Sequence, residues 1–115
     1  MIKLKPLLNE ISNGDRDAWR KDWLERHNAK FDATGRLIAY HATSRPKSKL
    51  IQQEGFRQGS YFSLNPEYSK RVVMNYHDLK PSGVVLFTVH LPLDAIDFVA
   101  SDIVAIRPIQ FSETI

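Results

Sequence analysis

The sequence predicts an α+β domain, and three observations predict it. Residues 1–30 carry two amphipathic helical stretches, the middle alternates short apolar runs with helix-like segments, and the last third reads mostly as strands. No repeat, low-complexity tract or linker interrupts the 115 residues, so one domain is expected, with N-terminal helices over 1–30 and a core over 31–115.

The elements follow in order. "KPLLNEISNG" reads as a short helix: Pro6 suits a first helical position, Leu7, Leu8 and Ile11 share a face, and Gly14 stops it. Asp15 can cap a second helix, "RDAWRKDWLERHN", whose Trp19, Trp23 and His27 recur every four residues as a stripe read as core packing. Asp32 to Gly35 has turn composition, and Leu37 to His41 continues as an apolar strand. "SRPKSK" is expected to be a polar loop. "LIQQEGF" reads as one or two helical turns stopped by Gly55, with Phe56 packing behind, and "GSYFS" as a short strand after Gly59. "NPEYSKRVVMNYH" has the best helix signals, with Asn65 as N-cap, Pro66 at N1 and Glu67 at the positive end of the dipole. "GVVLFTVHLP" is a strand bounded by Pro81-Ser82-Gly83 and Pro92, and "AIDFVA" and "DIVAIRPIQF" are further strands. The expected assembly is a mixed, strongly twisted sheet pair with helices on one side.

Composition narrows the chemistry. With 43% hydrophobic and 25% charged residues the chain has an ordinary globular make-up. The absence of cysteine excludes disulfides and thiolate metal sites and fits a reducing compartment. A net charge of +3 suits an anionic ligand but does not by itself argue for nucleic acid. The apolar runs "VVLF" and "FVA" are far too short to span a bilayer, and "MIKLKPLL" lacks the apolar core of a signal peptide, so no membrane partner and a cytoplasmic location are expected. His41, His77 and His90 match no metal-ligand spacing, and no metal is expected. Arg45, Lys47 and Lys49 form a small basic segment, either a solvated loop or a phosphate contact.

Several motifs carry more in order than singly. "YHATS", then "IQQEGF", "GSYFSLNPEYSK" and "VVLFTVHLP", and finally an acidic residue opening "DIVAI", resemble the ADP-ribosyltransferase fold. The likeness is to its diphtheria-toxin-like and poly(ADP-ribose) polymerase-like branch, which carries a His-Tyr-Glu triad. "DWLERHNAKFDATGRLIAYHATS" is also similar to the entry of small ADP-ribosyltransferase domains in phage and mobile-element polyvalent proteins. The resemblance covers roughly Asp32 onward. It implies a split sheet pair with an N-terminal helical segment and NAD as co-substrate, bound in a cleft between two short sheets.

Residue by residue, the resemblance assigns His41 to the ribose hydroxyls of NAD and Tyr61 to stacking on the nicotinamide, where an aromatic face suits a flat, electron-poor ring. Ala42 stands where the family has glycine, Thr43 and Ser44 follow in the same wall, Ser63 lies beside the tyrosine, and Ser69 aligns with a carboxamide-binding serine. Tyr68 is assigned to helix packing, with pocket lining as its alternative. The third catalytic position falls on Asp102, one methylene shorter than the family's glutamate, with Glu113 and Asp97 as the other candidates. Position at a strand opening favours Asp102, whereas Glu113 reads as a frayed, solvated residue. That carboxylate would stabilise the oxocarbenium-like transition state as nicotinamide leaves.

The implied function is mono-ADP-ribosylation of a protein acceptor, without the surface that polymer synthesis requires. The polyvalent-protein likeness implies a phage or mobile-element effector acting on a host protein in counter-defence, in the host cytoplasm. Ala42 for glycine and the shorter Asp102 keep a second class open, a non-catalytic module on the same fold that binds NAD, ADP-ribose or a partner. Nucleic acid is admitted as a partner without being favoured. An RNA-directed 2′-phosphotransferase ranks lower, because "GSYFS" lacks the pocket arginines that branch uses.

Overall fold

The structure is a computed structural model that describes residues 22, 25–99 and 102–115. The helix expected at "KPLLNEISNG" and most of the second one, including Trp19 and Trp23, lie outside the described residues. The end of the second is seen. Asp22, Glu25 and Arg26 are helical, Arg26 pairs with Asp22 at 2.9 Å, and Asn28 takes φ 61° while its N–H returns to the Glu25 carbonyl.

The chain then builds two three-stranded sheets. The first has the order β1 (Lys30–Phe31), β2 (Leu37–Ser44), β4 (Val84–Leu91); the second has β3 (Tyr61–Phe62), β6 (Asp102–Ala105), β5 (Ile96–Val99). Every strand pairing within them is antiparallel, which corrects the expectation of a mixed sheet. Helices α1 (Arg45–Glu54) and α2 (Pro66–His77) both pack on β2 and β4.

Asp32 nucleates the first turn. One of its carboxylate oxygens accepts from the Thr34 and Arg36 N–H groups, and Gly35 supplies φ 86° where a side chain would be strained. β2 and β4 then alternate cleanly. Leu37 faces Leu91, Ala39 faces Val89 and His41 faces Phe87, and the apolar members of these pairs are buried.

Helix α1 begins at Arg45, so "SRPKSK" is not a loop. Ser44 caps it by accepting from the Lys47 N–H, and Pro46 fits its first turn. Both proline and cap signals were in the sequence, but three basic residues in six disguised them. Helix α2 forms as its signals predict, with Asn65 Oδ1 accepting from the N–H groups of Glu67 and Tyr68. The expected strand "DIVAIRPIQF" ends after Ala105; its remainder makes one bridge, Ile109 to Phe56, and then a 3-10 turn over Phe111–Thr114.

A backbone bridge joins the sheets where Tyr40 and Ser63 exchange hydrogen bonds of 2.9 Å, and a second bridge pairs Phe56, after α1, with Ile109, after β6. Beyond Tyr40, β2 and β3 diverge and leave a cleft. Beneath it Phe56, Phe62, Phe87 and Phe111 stack edge to face at centroid distances of 5.1 to 6.0 Å, closing a core shared by both sheets.

Candidate functional site

His41 sits where the sheets part. Its position on β2 places it on the core-facing side, after Leu37 and Ala39, with its ring 5.1 Å from Phe56 and 5.5 Å from Phe62. Nδ1 lies 2.7 Å from the main-chain oxygen of Tyr61. A carbonyl can only accept, so Nδ1 carries the proton, and a neutral ring keeps its Nε2 lone pair for a ligand. Burial pushes the imidazole below its usual value, and the Tyr61 carbonyl opposes that shift. The same bond holds β2 against β3 beside the Tyr40–Ser63 bridge.

Two adjoining hollows lie along this parting line. One, of ≈ 500 Å³, is lined by His41, Ala42, Tyr61, Ser63, Ser69 and Asp102, together with Tyr68 and Tyr76. The other, of ≈ 380 Å³, is lined by Thr43, Lys47, Leu50, Ile51, Phe56 and Arg57, among others. His41, Ala42, Val73 and His77 border both, so the two are lobes of one cleft with a waist at these four residues. Each lobe falls in the size range of small-molecule sites.

Strand alternation brings Tyr61 and Asp102 together. Tyr61 is registered against Val104 and Phe62 against Ile103, so Phe62 and Ile103 enter the core while Tyr61 and Asp102 share the other face. Tyr61 is 58% exposed, an aromatic face open to a ligand. Ser63 Oγ and Ser69 Oγ are 2.6 Å apart, with Ser69 Oγ also 3.3 Å from the Tyr40 carbonyl oxygen and Ser63 Oγ donating to Asn65 at 2.7 Å. Ser63 Oγ also accepts from the Asn65 N–H at 3.3 Å, so the Ser69 proton goes to Ser63 Oγ or to the Tyr40 carbonyl. The pair forms a polar corner whose spare lone pairs lie on Ser69 Oγ and can accept from a carboxamide N–H. Thr43 is buried in the second lobe. Ser44 lines neither lobe, because its hydroxyl caps α1.

The other carboxylates lie elsewhere. Glu113 lines neither lobe; Arg107 holds it at 3.1 Å, and it accepts from the Gln110 N–H at 3.2 Å. Those contacts, the Arg107 guanidinium first, keep its carboxyl below the usual range, so it is a structural anchor and not the frayed residue expected. Asp97 is exposed on β5, the far strand from β3, and lines neither lobe. Asp102 is therefore the one of the three candidates at the cleft.

Helix α2 contributes more than the sequence suggested. Tyr68, Val72 and Tyr76 recur every four residues, as do Ser69, Val73 and His77, and all six line the larger lobe. Tyr68 is 47% and Tyr76 83% exposed, so Tyr68 rims the lobe and is not buried by helix packing. The two rows were legible as a period, but which side of the helix faced a cleft was not. Arg45 is spent on the Ser82 carbonyl, Lys47 lines the second lobe, and Lys49 lines neither. Among the described residues no group of three or more His, Asp or Glu side chains stands close enough to hold a metal ion, and no helix is long and apolar enough to cross a membrane.

Comparison with protein-family models, with curated proteins and with solved structures found no match.

Proposed function

We propose that this chain is an NAD-dependent mono-ADP-ribosyltransferase that modifies a protein acceptor. The observation that carries the reading is the convergence of His41, Tyr61 and Asp102, from three different strands, on one open cavity. A bent dinucleotide suits the two lobes. The larger offers an exposed aromatic face, a hydroxyl pair and a carboxylate, as nicotinamide riboside requires. The smaller offers apolar Leu50, Ile51 and Phe56 beside cationic Lys47 and Arg57, as an adenosine with its phosphates requires.

NAD supplies the scissile bond, between the anomeric carbon of its ribose and the ring nitrogen of nicotinamide. The chain's part is orientation and charge. Tyr61 stacks the leaving ring, Ser69, held by Ser63, accepts from its carboxamide N–H, and neutral His41 accepts from a ribose hydroxyl through Nε2. Asp102 hydrogen-bonds the neighbouring hydroxyl and stabilises positive charge that develops at the anomeric carbon. The acceptor nucleophile bonds to that carbon and gives up its proton, while nicotinamide leaves with the electron pair of the broken bond.

A second reading, an NAD- or ADP-ribose-binding module without turnover, is favoured by two features: Asp102 is shorter than the glutamate this chemistry uses, and Ala42 replaces glycine in the wall. One assay separates them. Native protein is incubated with NAD and cell lysate, nicotinamide release is measured, and His41→Ala and Asp102→Ala are run beside it. Transfer predicts release that both variants reduce about a hundredfold, the scale of a misplaced catalytic group. Absence of release from the native protein rejects transfer, and a rise in melting temperature with NAD alone then supports the binding module. If the acceptor is transferred to, mass spectrometry of the lysate identifies its class, and the phage or mobile-element setting is judged from that.

A further inference from the structure

We infer that His77 binds the diphosphate that links the two halves of the dinucleotide, an assignment that rests on the NAD reading of this cleft. Four residues border both lobes, and they come from two elements: His41 and Ala42 from β2, Val73 and His77 from α2. Whatever spans the lobes must cross this waist. For a ligand with its nicotinamide at Tyr61 and its adenosine beside Leu50 and Ile51, the crossing group is the diphosphate.

The waist needs a hydrogen-bond donor there, and few side chains can serve. Nδ1 of His41 is committed to the Tyr61 carbonyl, and Ala42 and Val73 have no polar side-chain atom. Lys47 and Arg57 reach the phosphates from the second lobe only. On the α2 wall of the waist the remaining polar side chain is His77, which is exposed and makes no hydrogen bond, ion pair or ring contact among the described residues. His90, by contrast, is spent on Asp32 at 2.7 Å. An imidazole carries at least one N–H in either charge state, so His77 can always donate to a phosphate oxygen. It would complete a clamp with α1 on one side and α2 on the other.

The test uses the full chain and NMR chemical-shift titration with NAD, ADP-ribose and adenosine. His77→Ala is expected to weaken NAD and ADP-ribose about tenfold or more, the scale of a hydrogen bond to a charged group, while leaving adenosine affinity and the melting temperature unchanged. His77→Lys, which supplies a donor and a positive charge, is expected to recover most of the loss. Unchanged NAD affinity in His77→Ala overturns the assignment and leaves the NAD reading standing. So does an equal loss for adenosine, or a His77→Lys variant no better than alanine. Native protein that binds neither NAD nor ADP-ribose overturns both.

Discussion

At the scale of the residue, the imidazole of His41 is held by a carbonyl on one nitrogen and by phenylalanine rings around it. That setting has a pH signature. Burial keeps the folded ring from accepting a proton as readily as the unfolded chain, whose histidine titrates near 6.5. Above that value both states are neutral and the ring contributes nothing to pH dependence. Below it the unfolded state takes up more protons, so stability falls on acidification. Urea unfolding at pH 7.5 and pH 5.5 should show a drop in midpoint that is smaller in His41→Gln; equal drops would show that His41 is not the group responsible. Asp102 and Glu113 separate by a similar contrast. Asp102→Ala should cut nicotinamide release about a hundredfold with little change in melting temperature, since the Asp102 side chain makes no hydrogen bond or ion pair among the described residues. Glu113→Ala should do the reverse, because it breaks the Arg107 pair and the cap on Gln110.

At the scale of the element, two short signals decide where helices begin and end. Asn65 satisfies two N–H groups at the start of α2, and Asn65→Ala should cost about 1 kcal/mol, read as a lower melting temperature. Because α2 supplies half of the larger lobe, the same variant should also weaken NAD binding. Gly55 ends α1 with φ 82°, and a Cβ there would lie 2.3 Å from the Ile109 carbonyl oxygen. The close approach lies beside the Phe56–Ile109 bridge, so Gly55→Ala meets both left-handed strain and a backbone clash. It should cost about 2 kcal/mol or more in denaturant unfolding. The sequence marked Gly55 as a helix stop; its second duty, admitting the Ile109 backbone, depends on a residue fifty-four positions away (109 minus 55).

At the scale of the whole molecule, one polar network ties the first turn to the end of the chain. Asp32 accepts from Thr34, Arg36 and His90, and Arg36 reaches the main-chain oxygens of Glu113 at 2.8 Å and Ile115 at 3.2 Å. The Thr34 and His90 hydrogen bonds hold the Asp32 carboxyl well below the ordinary carboxylate range. Its stabilisation is therefore present above the usual 3.8 and is lost as pH falls below it. In denaturant unfolding followed by circular dichroism, the native protein should lose stability steeply below pH 4, whereas Asp32→Ala, already less stable at pH 7, should lose less over that range. Equal losses would show that Asp32 is not the group responsible.

The elements were readable from the residues alone: an α+β order, the strand at Leu37 to His41, the N-cap of α2, the turn at Asp32 and the boundaries at Pro81-Ser82-Gly83 and Pro92. These rest on interactions between residues a few positions apart, which local composition records. The sequence also named His41, Tyr61 and Ser69 as residues to watch, through the order of motifs. The antiparallel pairing of both sheets, the start of α1 at Arg45 and the capping role of Ser44 emerge from the assembled fold. The fold puts Asp102, which its place at a strand opening already favoured, at the cleft and Glu113 and Asp97 away from it, and it turns Tyr68, Tyr76 and His77 toward the cleft. The reason is physical: a side chain's period fixes which residues share a face, but what that face meets depends on contacts made across the whole length of the chain.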